Sequence, residues 1–476
     1  MRDEDLNDPA PAKPITDALT PERVAWVVGA FLCGALTVRL ASTATLRSED
    51  QQFAQSVAEV HRILDQRYVE PLDSDALRVE AIKGMVGSIQ RGRLHDAATM
   101  FFVPADAERF AEQVTGRYEG IGVRHGGRRT PEGYLYIETP LEGSPAAEAG
   151  VEAGDAITAV DGEPLKDWPL EQISSRLRGE GGTRVLITVR SPNGSQRDIE
   201  ITRGPVVDPV AVGYARNPDN SWNWFVDEQA KIGYVRFTSF TINSAAPLER
   251  RIRGLLSQGM KGLILDLRGN GGGSLEEAVR ISSLFLQPDK LIVSKRGRVG
   301  SEQHYSLPDV TLPDFPVVIL VNEYTASASE IVAGALADHA RMLKDDPRAV
   351  VVVGARTYGK GSVQVDQKLS TGKEELKFTI AYWYTPSGRR VHRTSDSDVW
   401  GVEPDVVVPL NEENWAKLYE ALESRRNLRR KDAPPGLRED ERADDPQLAR
   451  ATSILAAQLL TPPTTMPATS TTKKVD

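Results

Sequence analysis

The sequence predicts an α/β protein in which a buried, largely parallel β-α core follows a small β-domain and a helical N-terminal region. Three observations carry this. Between Lys231 and Leu410, short uninterrupted apolar runs alternate with amphipathic segments, the pattern of strands covered by helices on both faces. From Tyr118 to Arg203, strand-like runs are separated by glycine turns. Ahead of these, apolar residues recur at helical spacing.

The N-terminal elements come first. A polar lead (1–23) precedes Val24–Val38, which carries no charge and is bracketed by Arg23 and Arg39. At about 1.5 Å per residue this run is short for a full membrane span, and a snorkelling Arg39 extends it to Ala41. Residues 24–41 are therefore read as an export signal or an uncleaved anchor, with a buried core helix as the alternative. Ser42-Thr43-Ala44 offers small residues for cleavage, whereas the long lead favours an anchor. Lys and Arg are balanced across the run, so they do not set its orientation. The expectation is an exported protein, periplasmic or extracytoplasmic, tethered to the inner membrane by 24–41. The helical region spans 48–117. Phe53, Val57, Val60, Leu64 and Tyr68 form one stripe, Pro71 breaks it, and Leu77, Ala81, Met85 and Ile89 form a second. Whether these stripes meet a core or a second copy of the chain is open.

The β-domain (118–203) offers strand candidates at 120–123, 134–140, 155–162 and 184–190, with short helices at 144–150 and 170–177. In the core (204–410), strands are expected at 232–237, 263–267, 316–321 and 349–354. A helix carrying Leu248, Ile252, Leu255 and Leu256 is expected between the first two, and others at 274–286 and 329–343. A C-terminal segment (411–460) holds a helix at 446–460. The Pro/Thr-rich end (461–476) is expected to be disordered.

Composition narrows the chemistry. The chain has 476 residues, 40% apolar and 26% charged, which excludes collagen-like, disulfide-dense and wholly disordered classes. With 58 Lys+Arg against 67 Asp+Glu, the net charge of −9 lacks the cationic footprint of a nucleic-acid binder. The single cysteine, Cys33, lies in the N-terminal apolar run, so no intrachain disulfide and no cysteine zinc site can form. Six histidines without an H-x-x-x-H pair give no metal cage, and no metal or cofactor is expected.

Two glycine-rich elements suggest nucleotides and fall short. Gly269-Asn270-Gly271-Gly272-Gly273 follows a strand, but Ser274 stands where a dinucleotide loop needs Gly or Ala, and the strand is not the first of its domain. Gly354 to Lys360 matches the first seven positions of a P-loop. The eighth is Gly361 instead of Ser or Thr, and Ser362-Val363-Gln364-Val365 alternates like a strand where a helix is required.

Thr325-Ala326-Ser327-Ala328-Ser329-Glu330 lies between a buried strand and an Ala-rich helix. A serine at that junction sits where free helix N–H groups and the positive dipole end converge, as a nucleophile beside an oxyanion hole requires. Ser327 and Ser329 are equally readable as helix N-caps. No histidine lies in a partner motif. Lys360, between two glycines in an apolar and aromatic stretch, serves as a base if burial deprotonates it; a solvated loop lysine is the alternative. Gln364 lies four residues on and could orient the amine. Asp266 beside Arg268 reads as a structural ion pair, and Glu330 as a dipole-stabilising first-turn acid.

Two resemblances follow. Gly120-Ile121-Gly122-Val123, Gly143-Ser144-Pro145-Ala146-Ala147, Gly154-Asp155 and Val160-Asp161-Gly162 occur in the order found in PDZ domains. That resemblance implies that Gly120, Ile121, Gly122 and Val123 bind a peptide's C-terminal carboxylate while the peptide adds a strand to the sheet. IGYVRFTSF, LILDLRGNGGG, TASASEIVAGAL and TYGKGSVQ, after the PDZ module, resemble the carboxyl-terminal processing peptidases, or tail-specific proteases, over roughly 53–410. The resemblance implies a crotonase-like spiral of β-α units and a serine protease with a Ser–Lys dyad. Ser327 matches the nucleophile, Lys360 the general base and Gln364 the residue that positions the lysine. Gly273, ahead of Gly272, and Ala328 match the oxyanion-hole donors. The implied partners are proteins or peptides with free, apolar, unstructured C-termini; a homo-oligomer or an activating adaptor is left open. Two departures stand out. Lys344 to Arg348 lengthens the path from serine to lysine, and Tyr324 occupies a place often taken by a small residue, where it is expected to narrow the pocket. The rival readings are a PDZ scaffold on a decayed protease core and a nucleotide enzyme.

Overall fold

The computed structural model describes residues 48–92, 96–308, 310–342, 350–370, 372, 374–430 and 441–460. The apolar run 24–41 with Cys33, the Lys344–Arg348 insertion and the tail 461–476 lie outside the described residues. No helix among the described residues is long and apolar enough to cross a membrane.

The chain divides into two compact units, 1–85 and 86–476. The described part of the first holds the helix Ser48–Arg67 and the greater part of Ser74–Arg91. Pro71 falls in the break, and Asp73 Oδ1 accepts from the N–H groups of Asp75 and Ala76, capping the second helix. Phe53, Val57, Val60 and Tyr68 are exposed.

The second unit begins its β-structure with Met100–Phe102 and then a helix, Pro104–Thr115, which Gly116 ends in the left-handed conformation. A four-strand antiparallel path follows: Leu135–Tyr136, Ala156–Val160, Arg184–Arg190 and Gln196–Thr202. Its buried face (Leu135, Ile157, Val160, Val185, Ile187, Val189 and Ile201) packs with Ile173 and Leu177 of the helix Leu170–Leu177. The expected strand at 120–123 is instead split. Arg117–Gly120 pairs with Gly204–Val207, Val123–Arg124 pairs with Thr139–Pro140, and Ile121-Gly122 turns between them.

The core sheet runs Ala211–Val212, Ile232–Phe237, Gly262–Asp266, Val317–Val321, Val350–Gly354, Val406–Val407, with Phe225–Asp227 on its second strand. The last five strands of this path are mutually parallel. Side-chain alternation sends Val235, Leu263, Leu265, Val317, Ile319 and Val352 to one face, where the helices Ala245–Ser257, Leu275–Phe285 and Ala328–Met342 cover them. Ile232, Tyr234, Ile264, Val318, Leu320 and Val353 face the other way, against Leu448, Ala451 and Leu455 of the helix Pro446–Leu460. Each such buried aliphatic contributes about 1.5–3 kcal/mol. Beneath that helix, Arg268 and Asp266 pair at 2.7 Å, both fully buried, and Arg268 also pairs with Asp445 at 2.8 Å.

A second, antiparallel sheet is built on the long strand Glu375–Tyr384. Met100–Phe102, Ser362–Lys368 and Leu291–Gly297 pair with it, and Gly300–Tyr305 adds to the last. The strand Ser362–Lys368 carries Gln364 and starts two residues after Lys360. The strand after Gly361 also settles the P-loop question: no helix opens there.

Candidate active site

The serine turn is assembled at the end of the apolar strand Val317–Val321. Asn322 N–H donates to Thr325 Oγ1 (3.0 Å), and that hydroxyl donates to the Leu267 carbonyl (2.9 Å). Ala326 N–H donates to the Asn270 carbonyl (3.0 Å). The turn places Ser327 at φ +57°, a left-handed conformation that costs a non-glycine residue about 1–3 kcal/mol and recurs at functional sites. Ser327 ends the turn as the helix cap: its carbonyl accepts from Glu330 and Ile331 N–H. Its hydroxyl caps nothing. Among the described residues Ser327 Oγ makes no hydrogen bond, and Ser329 Oγ donates to the Asn270 carbonyl at 3.0 Å, so neither serine is the side-chain cap that the sequence allowed.

The glycine loop lies directly against this turn. Asn270 anchors it, donating from Nδ2 to the Phe237 carbonyl (2.7 Å) and accepting Gly272 N–H on Oδ1 (2.9 Å). A Cβ at Gly272 would meet the Ala326 carbonyl oxygen, Ala328 N and Ser327 Cβ, each at 2.7 Å, and the residue holds φ +96°. Only glycine permits that approach. Gly272 N–H is thus committed, while Gly273 N–H and Ala328 N–H donate no hydrogen bond among the described residues. Two free N–H groups flank Ser327.

The lysine arrives on the loop that leaves the strand Val350–Gly354. Tyr358 N–H donates to the Thr325 carbonyl (3.0 Å), tying this loop to the serine turn. Trp383 Nε1 donates to the Lys360 carbonyl (3.0 Å). Lys360 Nζ has no hydrogen-bond or ion-pair partner among the described residues. Burial lowers its pKa from the ordinary 10.5, with Glu330 and Asp96 pulling the other way. Ser327, Ala328, Gly271 to Gly273, Lys360 and Gln364 line one cavity of about 650 Å³, together with Phe240, Leu275, Ile331, Val363 and Trp383.

Serine, lysine and glutamine are therefore brought to one cavity but are not hydrogen-bonded to one another. Gln364 Nε2 donates to Ser362 Oγ (2.9 Å) and Thr379 Oγ1 (3.0 Å) instead of meeting the lysine. Tyr324 corrects an expectation. It stacks on Trp415 of the helix Glu412–Ser424, with ring centroids 5.8 Å apart, and does not line the cavity.

The residue that sequence reasoning undervalued is Glu330, assigned there only to the helix dipole. It is fully buried. Oε2 accepts the N–H groups of Ser327 and Lys360, each at 2.8 Å. Oε1 accepts Thr357 Oγ1–H (2.5 Å) and Gly359 N–H (2.7 Å). Burial raises its pKa from 4.5, and the four donors oppose that rise. The signal was present: Ser327-x-x-Glu330 is half of a capping box, in which the third helical residue reaches back to the cap N–H.

In the β-domain, Ser144 Oγ donates to the Gly122 carbonyl (2.9 Å), and Ala146 N–H to that of Ile121 (2.8 Å). Ile121 and Gly122 N–H donate no hydrogen bond among the described residues. They sit at a small cleft between Gly120–Val123 and the helix Leu170–Leu177, bordered by Tyr118, His125 and Arg178. Arg178 pairs with Glu112.

Comparison with known proteins matches residues 231–408 to peptidase family S41 and residues 136–191 to the PDZ domain. The carboxy-terminal processing protease CtpA of Bacillus subtilis is 32% identical over 351 residues, 74% of this chain and 67% of that protein. A probable CtpA-like serine protease of Staphylococcus aureus (strain COL) is 29% identical over 365 residues, 76% of this chain and 66% of the relative. Among solved structures, the photosystem II D1 C-terminal processing protease is 28% identical, covers 74% of this chain and 92% of its own, and superposes with a TM-score of 0.38. The segment that matches the peptidase family is the one that holds Ser327 and Lys360, and the PDZ match precedes it in the order the motifs foretold: the chain belongs to peptidase family S41, as a PDZ-containing serine-type peptidase related to the carboxy-terminal processing proteases.

Proposed function

We propose that this chain is an endopeptidase that captures unstructured, apolar C-terminal tails on its PDZ domain and cleaves them at Ser327 with Lys360 as general base. The observation that carries the reading is the cavity itself. An uncommitted serine hydroxyl on a strained helix-capping turn, two uncommitted N–H groups beside it and a half-buried lysine of lowered pKa share one space. Neutral Lys360 Nζ takes the proton of Ser327 Oγ as the oxygen bonds to the scissile carbonyl carbon. The negative charge that develops on the carbonyl oxygen is received by Gly273 and Ala328 N–H. The lysine ammonium returns its proton to the departing amine, leaving an acyl-enzyme. Lys360 then takes a proton from water as that water adds to the ester carbon, and Ser327 departs reprotonated. A swing of the Lys360 side chain to Ser327 Oγ completes the dyad on substrate binding, and Gln364 steers the amine once it leaves Ser362 and Thr379.

The PDZ turn supports tail capture: Ile121 and Gly122 present free N–H groups as a carboxylate requires. The succession of parallel strands and covering helices supports a crotonase-like spiral over 204–410, with 118–203 as the PDZ domain. Residues 24–41 would tether the enzyme to the inner membrane from its extracytoplasmic side. The experiment is direct. An unfolded protein with an apolar tail is incubated with wild type, Ser327→Ala and Lys360→Ala, and the fragments are read by mass spectrometry. Tail-proximal cleavage by wild type alone is expected; cleavage by Lys360→Ala at the wild-type rate removes the dyad.

A further inference from the structure

We propose that Glu330 is a positioning residue for cleavage: its carboxylate holds the nucleophile turn and the base loop in register. The inference rests on the Ser327–Lys360 reading above and adds what aligns the two. Four donors from two separate segments converge on this one group. Ser327 comes from the serine turn, and Thr357, Gly359 and Lys360 from the lysine loop. The two backbone N–H groups that share Oε2 belong to the nucleophile and the base themselves.

The geometry needs an ionised carboxylate. Three of the four donors are backbone N–H groups, which cannot reverse. Two meet Oε2 and one meets Oε1. A glutamine turned either way sets its NH₂ against at least one of them, and a protonated carboxyl weakens the acceptor that one of them meets. A buried N–H without an acceptor is costly, and here the loss is relieved by the serine turn and the lysine loop moving apart. Displacement of reacting groups by about 1 Å can cost on the order of 100-fold in rate. The clamp also frees the nucleophile. Glu330 takes the cap N–H of Ser327, while the other half of the capping box, from Ser327 Oγ to Glu330 N–H, is not made. That N–H goes to the Ser327 carbonyl instead, at 2.9 Å.

The carboxylate also acts on the lysine through space. The charged groups that act on Lys360 are Glu330 from the serine helix, Asp96 from the segment before Met100, and Lys377 from the strand Glu375–Tyr384, and Glu276, Lys295, His304 and Asp366 line the same cavity. Glu330 is the larger of the two negative influences. Removing its charge makes the ammonium less stable, so the amine deprotonates at lower pH. A residue that merely supported the fold would not move that titration.

The test compares Glu330→Gln, Glu330→Asp, Lys360→Ala and wild type on one unfolded substrate across pH. Expected for Glu330→Gln is a kcat about 100-fold lower, KM within a few-fold, and a rising pH limb displaced to lower pH. Glu330→Asp keeps the charge but is one methylene short; its kcat falls while the limb stays where it is in wild type. Glu330→Gln with wild-type kcat, or with an unmoved limb, overturns the proposal. So does failure of both Glu330 variants to fold, since the clamp would then serve folding and not alignment. Lys360→Ala separates the two readings. If it is as active as wild type, the dyad fails. If it is inactive while Glu330→Gln is unaffected, this inference alone fails.

Discussion

The backbone N–H groups of Ser327 and Lys360 point at the same oxygen, Glu330 Oε2, each at 2.8 Å. The residues are 33 positions apart in sequence (360 − 327) and sit on different elements, yet their main chains are joined through one carboxylate. Their side chains, by contrast, are free: neither Ser327 Oγ nor Lys360 Nζ is hydrogen-bonded among the described residues. In the proposed dyad, that arrangement leaves both reacting groups unpaired before substrate binds.

The pH dependence follows from the lysine. In the proposed dyad only the neutral amine can accept the Ser327 proton, so activity should rise with pH as Lys360 deprotonates. Burial lowers its pKa from 10.5, so the midpoint of that rise falls below the ordinary lysine value. Asp96 opposes the shift. Asp96→Asn should therefore displace the rising limb to lower pH without touching the serine turn. A kcat/KM profile measured on an unfolded substrate checks both, and a limb governed by a group titrating near pH 4 would contradict the lysine base.

Gly272 is the most demanding position of the glycine loop. Its Cβ would press on Ala326, Ser327 and Ala328 at 2.7 Å, and φ is +96°. Gly272→Ala should push the loop off the serine turn and separate Gly273 N–H from Ala328 N–H. If Gly273 and Ala328 form the oxyanion hole as proposed, loss of one donor costs about 100- to 1,000-fold in kcat, and that loss is expected here with the thermal unfolding midpoint changed far less. Steady-state kinetics beside a thermal melt distinguishes it from plain unfolding.

Much of this was legible from the chain alone, for physical reasons. The strands 232–237 and 317–321 are buried on both faces, so their runs, apolar throughout in 317–321 and interrupted only by Arg236 in 232–237, bounded them within a residue. The helix Leu170–Leu177 was bounded as expected. The second sheet was largely missed. Leu291–Gly297 and Gly300–Tyr305 carry Lys, Arg, Gln and His, and the pairing of Leu291–Gly297 with Glu375–Tyr384 joins residues 84 (381 − 297) to 90 (384 − 294) positions apart, which no local pattern records. The helix Glu412–Ser424 went unremarked because its apolar face is narrow. Ser327 and Lys360 were visible through their flanking motifs. The role of Glu330 was not, because three of its four donors lie on the lysine loop, and only folding brings that loop to the helix. Tyr324 misled for the same reason. Its partner is Trp415, 91 positions on (415 − 324), and stacking draws the ring away from the pocket it was expected to narrow.

The C-terminal helix depends on a buried charge cluster. Asp445 accepts from Arg268 Nη1 (2.8 Å) and Nη2 (2.9 Å) and also caps Pro446–Leu460 by accepting Leu448 N–H (2.9 Å). Arg268 is fully buried against Asp266. Asp445→Ala leaves that guanidinium one carboxylate short and removes the cap. Breaking a buried pair costs about 3–5 kcal/mol. The denaturation midpoint in urea should fall accordingly, with the slope unchanged. A loss under about 1 kcal/mol would place the pair with surface ion pairs.

The last prediction concerns how a tail is chosen. Ile121 and Gly122 N–H are free, and the cleft beside them is narrow and bordered by His125, Leu177 and Arg178. Burial lowers the His125 pKa from 6.5, so at neutral pH the fixed positive charge at this cleft is Arg178. Arg178 is held by Glu112, on the helix Pro104–Thr115, and an incoming carboxylate would compete with Glu112 for it. If a terminal carboxylate is what the turn receives, replacing it with an amide removes the charge while leaving the tail's apolar side chains in place. KM for the amidated substrate should then rise about tenfold or more, the range of one lost charge-assisted hydrogen bond, while kcat at saturation stays put because the bond cleaved lies elsewhere. Arg178→Gln should shrink that difference between carboxylate and amide. Equal KM values for the two substrates on wild type would mean that the Ile121-Gly122 turn does not read the chain end.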